Sequence, residues 1–118
     1  KNLIVLALAG SELANAAREI GLKVAEEVFA DRAYNSDGSL VSRKLPGSVI
    51  HDKDLAIERV IRMVTERKVN AIDGTDISIN ADSICVHGDN PEAVSFVRLI
   101  RESLEKRGIQ IKPINQFI

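Results

Sequence analysis

Cysteine is nearly absent from this chain: Cys85 stands alone among 118 residues. An intrachain disulfide framework and a cysteine-rich zinc site are therefore excluded. Tryptophan is missing and aromatics make up 3%, too few for a base-stacking surface. No charge of one sign dominates, since Lys plus Arg is 16 and Asp plus Glu is 17, a net charge of −1. That balance argues against a general nucleic-acid binder. Long apolar runs are also lacking; none approaches the ~20 residues that span a bilayer. With two histidines, a His-rich metal site would need ligands from elsewhere. The chain starts at Lys1 with an apolar run close behind, and it lacks the pattern of a secretory signal. The expected location is the cytoplasm, and the missing Met suggests either that an upstream part is cut or absent or that the Met was simply removed by processing, which composition does not separate.

What is present is the composition of one folded domain, 45% hydrophobic and 28% charged. The continuous apolar run Leu3 to Leu8 reads as a strand buried on both faces. Ser11 is a candidate cap for a helix whose inward face holds Leu13, Ala16, Ala17 and Ile20, with Gly21 ending it. Lys23 to Phe29 alternates as a second strand, Val24, Glu26 and Val28 on one face and Ala25, Glu27 and Phe29 on the other. Residues 30–51 form a long loop that carries Arg32, Tyr34, Arg43 and Lys44. A loop of that length is uncommon in a compact domain and often functional.

Asp52 caps the next predicted helix, about 53–67, with Ile57, Val60, Ile61 and Val64 as its apolar stripe. Asp73-Gly74 joins Val69–Ile72 to Thr75–Asn80 as a hairpin with a two-residue type I′ turn. Ile84 to Val86 is a short strand ending in His87-Gly88-Asp89. Asn90-Pro91 opens a helix that puts Ala93, Val97, Ile100 and Leu104 on one face. Gly108 stops that helix, and Ile109 to Ile111 begins a last strand. Successive strand-to-helix connections predict an α/β fold around a mainly parallel sheet.

In such folds ligands bind at the carboxyl ends of the strands. That rule singles out three segments. His87 offers a general base near neutral pH, with Asp89 beside it, although packing and helix capping would also account for the two. Glu27, Asp31 and Arg32 gather at the end of the second strand, either as pocket-lining groups or as a structural ion network. Gly10-Ser11 could hold an anion through free N–H groups, but a simple helix cap explains it as well. Cys85, inside an apolar strand, reads as inert. His51 and Asp52 read as the start of a helix.

The run Glu27-Val-Phe-Ala-Asp-Arg32, followed by Tyr34, Asp37-Gly38, Leu40-Val41, Arg43 and Pro46-Gly47, resembles the LamB/YcsF family. So do Ile84-Cys-Val-His-Gly-Asp89 with Pro91 and Ala93, and Gly10-Ser11 with Gly21-Leu22. The resemblance runs in order along nearly the whole chain. It implies part, about half, of a distorted (β/α) barrel of the glycoside hydrolase/deacetylase type, with the hairpin as an insertion. It also implies ATP-dependent opening of the lactam 5-oxoproline to glutamate, together with two partner subunits. Members of the family are about twice as long. Their N-terminal half carries Asp-, His- and Asn-rich motifs that are missing here, so residues 1–118 correspond to the C-terminal half as a single α/β segment.

On that resemblance His87, Asp89 and Glu27 are the expected catalytic groups, and Asp31, Arg32, Gly10 and Ser11 the expected substrate-binding ones. No metal ligands are assigned, and a need for a divalent cation is left open. The expected complement is the missing half or a second copy, with neither nucleic acid nor membrane as a partner. Two other readings stand beside this one: a noncatalytic assembly half of the same complex, and a metal-dependent amide or carbohydrate hydrolase.

Overall fold

The computed structural model describes residues 3–87 and 92–118. Strand β1 (Ile4–Leu8) leads through Ser11 into helix α1 (Glu12–Glu19) and returns as β2 (Lys23–Phe29). β1 and β2 pair in parallel, Ile4 opposite Lys23 through Leu8 opposite Glu27. The third member of the sheet, β5 (Ser83–Cys85), also runs parallel to β2, so the order is β1-β2-β5. Between β2 and β5 lie helix α2 (Lys53–Glu66) and the antiparallel pair β3 (Lys68–Asn70) and β4 (Asp76–Ser78). Helix α3 (Glu92–Lys106) follows β5. The α/β class with a parallel sheet is therefore as expected. No helix among the described residues is long and apolar enough to cross a membrane.

One face of the sheet is packed. Val28, Ala30, Val60, Met63, Phe96, Ile100 and Leu104 form the main core between β2, α2 and α3. Ala7, Val24, Ala14 and Ala17 form a smaller one under α1. On the opposite face Leu6 and Leu8 are exposed.

Local chemistry explains most element ends. Ser11 Oγ accepts the Ala14 N–H, and Asp52 accepts from Asp54 and Leu55, so both predicted caps are in place. The inward face of α1 differs from the expected one. Ala14 and Ala17 are buried, whereas Leu13 and Ile20 are 60% and 76% exposed, and Ala16 is exposed too. Small side chains let this short helix sit close to the sheet, so its larger apolar groups point away. On α2, Val60 is buried as expected. Ile57, Ile61 and Val64 are only half-buried, and Ala56 and Met63 complete the seam. On α3, Phe96 takes the buried place expected of Val97, which is 48% exposed.

The hairpin turn is longer than predicted. Gly74 N–H donates to Ala71 O and Ala71 N–H to Thr75 O, leaving three residues in the loop. Gly74 has φ +90° while Asp73 has no positive φ, so this is a type I turn closed by a left-handed glycine. Ile109–Ile111 forms no strand. The Ile109 N–H turns back to Leu104 O, and Pro113 has no N–H to offer a ladder.

Candidate functional site

The loop after β2 is fixed by a dense set of backbone bonds. Ile50 N–H donates to Asp31 O at 2.8 Å, Ala33 N–H to Ser48 O and Val41 N–H to Ala33 O. Tyr34, 1% exposed, accepts the Phe29 N–H on its phenol oxygen at 2.9 Å, tying the loop to the end of β2. Tyr34 is therefore part of the core. Burial pushes its phenol up from the ordinary value. Arg59 reaches up from α2 and donates to Ala30 O at 2.7 Å and to Arg32 O at 2.9 Å. Burial pushes its guanidinium down from the ordinary value, against the opposing influence of Tyr34 and Asp31.

These constraints present Asp31 and Arg32 to a cavity of about 240 Å³ at the carboxyl ends of β2 and β5. His87 enters from β5, and His51, Lys53 and Arg43 come from the returning loop and the start of α2. The volume lies below the ~300–1,000 Å³ of pockets for drug-sized ligands, so it suits a small metabolite. The His87 imidazole stacks on Phe29, centroids 5.5 Å apart and planes 29° apart, which sets its orientation. Lys53 is held by Glu92 at 3.3 Å.

Arg32 is 8% exposed, and one of its Nη groups donates to Val41 O at 2.9 Å. Among the described residues, Arg32 Nε and Asp31 Oδ1 are buried without a hydrogen-bond partner. Buried polar atoms left unpaired are uncommon and call for an explanation.

The other expected site residues fall elsewhere. Glu27 is half-buried, does not line this cavity, and sits on the sheet face opposite the main core. Burial raises the Cys85 thiol, and Glu27 and Asp31 raise it further, which disfavours the thiolate a nucleophile needs. Gly10 N–H is taken by Glu26, and Ser11 Oγ by the Ala14 N–H. Neither residue lines the cavity that gathers Asp31, Arg32 and His87. Asp89 and the expected helix start at Asn90-Pro91 lie outside the described residues.

Sequence reasoning missed His51 as a pocket residue, because its position beside the Asp52 cap reads as a helix start. The available signal was that the long loop must return to the strand ends. It also passed over Glu26, 3% exposed, whose carboxylate accepts from Gly10 N–H, Arg18 and Asn80. A larger hollow of about 640 Å³ beside β5 is lined mainly by aliphatic groups such as Ile100, Leu104 and Ile109, and holds none of the candidate residues. Among the described residues, no three metal-ligating side chains come together.

Comparison with known proteins bears on the family and the fold. A lactam utilization protein from Thermus thermophilus superposes with a TM-score of 0.84 at 40% identity, covering 93% of this chain and 43% of that one. A 5-oxoprolinase subunit from Campylobacter jejuni subsp. doylei is 58% identical over 118 residues, 100% of this chain and 46% of that protein. The corresponding protein of Fusobacterium nucleatum is 55% identical over the same length. The chain thus spans about half the length of the curated relatives it matches. The model of the LamB/YcsF family matches residues 1–118, and with relatives this similar along its whole length the chain belongs to the LamB/YcsF family.

Proposed function

We propose that this chain contributes the strand-end part of the active site of a 5-oxoprolinase, which opens the lactam 5-oxoproline to glutamate. The observation that carries the reading is the meeting of Asp31, Arg32 and His87 in one small cavity at the carboxyl ends of two parallel strands. The names and the 55–58% identity of the relatives support it. The parallel sheet, packed on one face only, is read as an arc of a distorted (β/α) barrel, with residues 1–118 as one α/β segment. The face bearing Leu6, Leu8 and Glu27 would then line the barrel interior.

In this reading His87 is the acid/base or water-orienting group, held in orientation by Phe29. Asp31 and Arg32 hold the substrate. Glu27 adds negative charge from the inner sheet face. Gly10 and Ser11, whose polar groups serve Glu26 and Ala14, shape the neighbouring strand end.

A lactam carbonyl is a weak electrophile, so transfer of a phosphoryl group from ATP is proposed as the activating chemistry of the whole enzyme. The cavity that gathers Asp31, Arg32 and His87 is small for a nucleotide, and the glycine at the first helix start has given its N–H to Glu26. No step is assigned to ATP on this chain, and its place in the whole enzyme is left open.

The test is glutamate formation from 5-oxoproline, with and without ATP, by the whole native chain mixed with both partner subunits. ATP-dependent turnover is expected. His87→Ala should lower kcat by about 10²–10⁴ without unfolding the protein. A full rate in that variant would remove His87 from the chemistry.

A further inference from the structure

Resting on the proposed function, we infer that Arg43 recognises the free carboxylate of the substrate, the group of 5-oxoproline that does not react. Arg43 lies in the long loop after β2. It lines the cavity at the strand ends and is exposed, so a ligand there can reach it. The wall it shares is cationic on balance. Arg32, Arg43 and Lys53 stand against Asp31 and Glu92, with His51 and His87 as further hydrogen-bonding groups. Of the three cations, Lys53 is held by Glu92 at 3.3 Å, and Arg32 is nearly buried with an Nη group committed to Val41 O. Arg43 takes part in no ion pair among the described residues. An anion entering the cavity therefore meets Arg43 most freely. A guanidinium presents a planar fork that matches a carboxylate with two parallel hydrogen bonds.

The loop fixes the backbone that carries Arg43. Val41 N–H donates to Ala33 O at 3.0 Å, and Ala33 N–H donates to Ser48 O at 2.9 Å. Both ends of the 41–48 excursion are thus fastened to one residue, next to Arg32 in the chain. Within it, Leu45 N–H donates to Ser42 O, Ser48 N–H to Leu45 O and Ser48 Oγ to Arg43 O. A backbone ordered before the ligand arrives loses less freedom on binding. A grip on the non-reacting end of a substrate also orients its reacting end, here the lactam carbonyl.

The experiment measures binding by calorimetry in the whole native chain assembled with its partner subunits. Its probes are 5-oxoproline and the analogue in which the carboxylate is replaced by an uncharged carboxamide; both keep the lactam ring. The unaltered protein should bind 5-oxoproline about ten- to a hundredfold more tightly, as a charge-assisted pair of hydrogen bonds implies. Arg43→Gln should abolish that preference by weakening 5-oxoproline while leaving the carboxamide unchanged. Arg43→Lys keeps the charge without the fork and should recover part of the preference. Lys44→Gln removes the adjacent charge from a residue that does not line the cavity, and should change neither affinity. Equal binding of the two probes to the unaltered protein, or binding of neither, overturns the proposal without any variant. Retention of the preference in Arg43→Gln overturns it as well. So does an equal loss of both probes, which would mark Arg43 as a support of the loop. An effect of Lys44→Gln as large as that of Arg43→Gln would trace the preference to the general field of the loop and overturn it too. Turnover is recorded separately. A preference that depends on Arg43 without turnover supports the subsite and sinks the proposed reaction, whereas turnover without the preference does the reverse.

Discussion

Glu26 Oε1 accepts the backbone N–H of Gly10 at 2.8 Å, so a carboxylate in the middle of β2 holds the turn that ends β1. Its Oε2 takes Arg18 at 3.1 Å and Asn80 at 2.9 Å. The backbone of Glu26 meets Asp82 in both directions, its N–H donating to the carboxylate and its carbonyl accepting the Asp82 N–H. One buried residue thus joins β1, α1 and the segment leading into β5.

Removing that carboxylate leaves the Gly10 N–H and the Asn80 amide without their acceptor. Glu26→Ala is expected to lower stability by roughly 2–3 kcal/mol, the cost of stranded partners to a charged group. A shift of the urea midpoint at constant slope would register it, and an unchanged midpoint would contradict it.

The same group confers a pH dependence. Burial pushes the Glu26 carboxyl up, but the Gly10 N–H, Asn80 and Arg18 together outweigh burial and hold it below its ordinary value of 4.5. A carboxyl depressed in the folded state contributes stability that is full above the unfolded value. That contribution fades as pH falls from about 4.5 through the lower folded value. Unfolding free energy should therefore drop across this acid window, and the drop should be smaller in Glu26→Gln.

Tyr34→Phe removes the one oxygen that accepts the Phe29 N–H while keeping the ring in the core. An amide stranded in this way costs about 1–3 kcal/mol. Faster hydrogen exchange at Phe29 should accompany the loss, since that N–H closes the end of β2. Unchanged protection at Phe29 would show that another acceptor replaces the phenol.

Arg59 acts on the proposed site through the backbone. Arg59→Met removes the donors to Ala30 O and Arg32 O and frees the segment that carries Asp31. A misplacement of about 1 Å can cost around 10²-fold in rate, so kcat/KM for 5-oxoproline should fall by ten- to a hundredfold. Partial recovery in Arg59→Lys, with KM moving more than kcat, would identify positioning. A loss of stability with normal kinetics in the folded fraction would show a purely structural role.

Where local rules govern, the sequence is readable. Alternation predicts β2 at Lys23–Phe29, where it is observed; the Ser11 and Asp52 caps depend on side chains acting on their own next turn. Failures come where a choice between apolar residues rests on distance to another element. Ala14 faces the sheet because a close approach leaves no room for Leu13, and Phe96 rather than Val97 fills the space beside α2. Asp73-Gly74 alone predicts a type I′ turn, yet Ile72 N–H is drawn to Tyr34 O, a contact 38 positions back along the chain, and the turn forms one residue earlier.

The sequence by itself determined the strand-to-helix order and the residue types at the strand ends, because apolar periodicity, capping and glycine punctuation act within a few residues. Only the tertiary structure decided which of those ends meet. Folding the 30–51 loop back across β2 sets His51 beside Asp31, Arg32 and His87, and gives the Gly10 N–H to Glu26. Burial, hydrogen-bond competition and the leftover atoms of Asp31 and Arg32 are properties of contacts between distant residues, and no spacing along the chain encodes them.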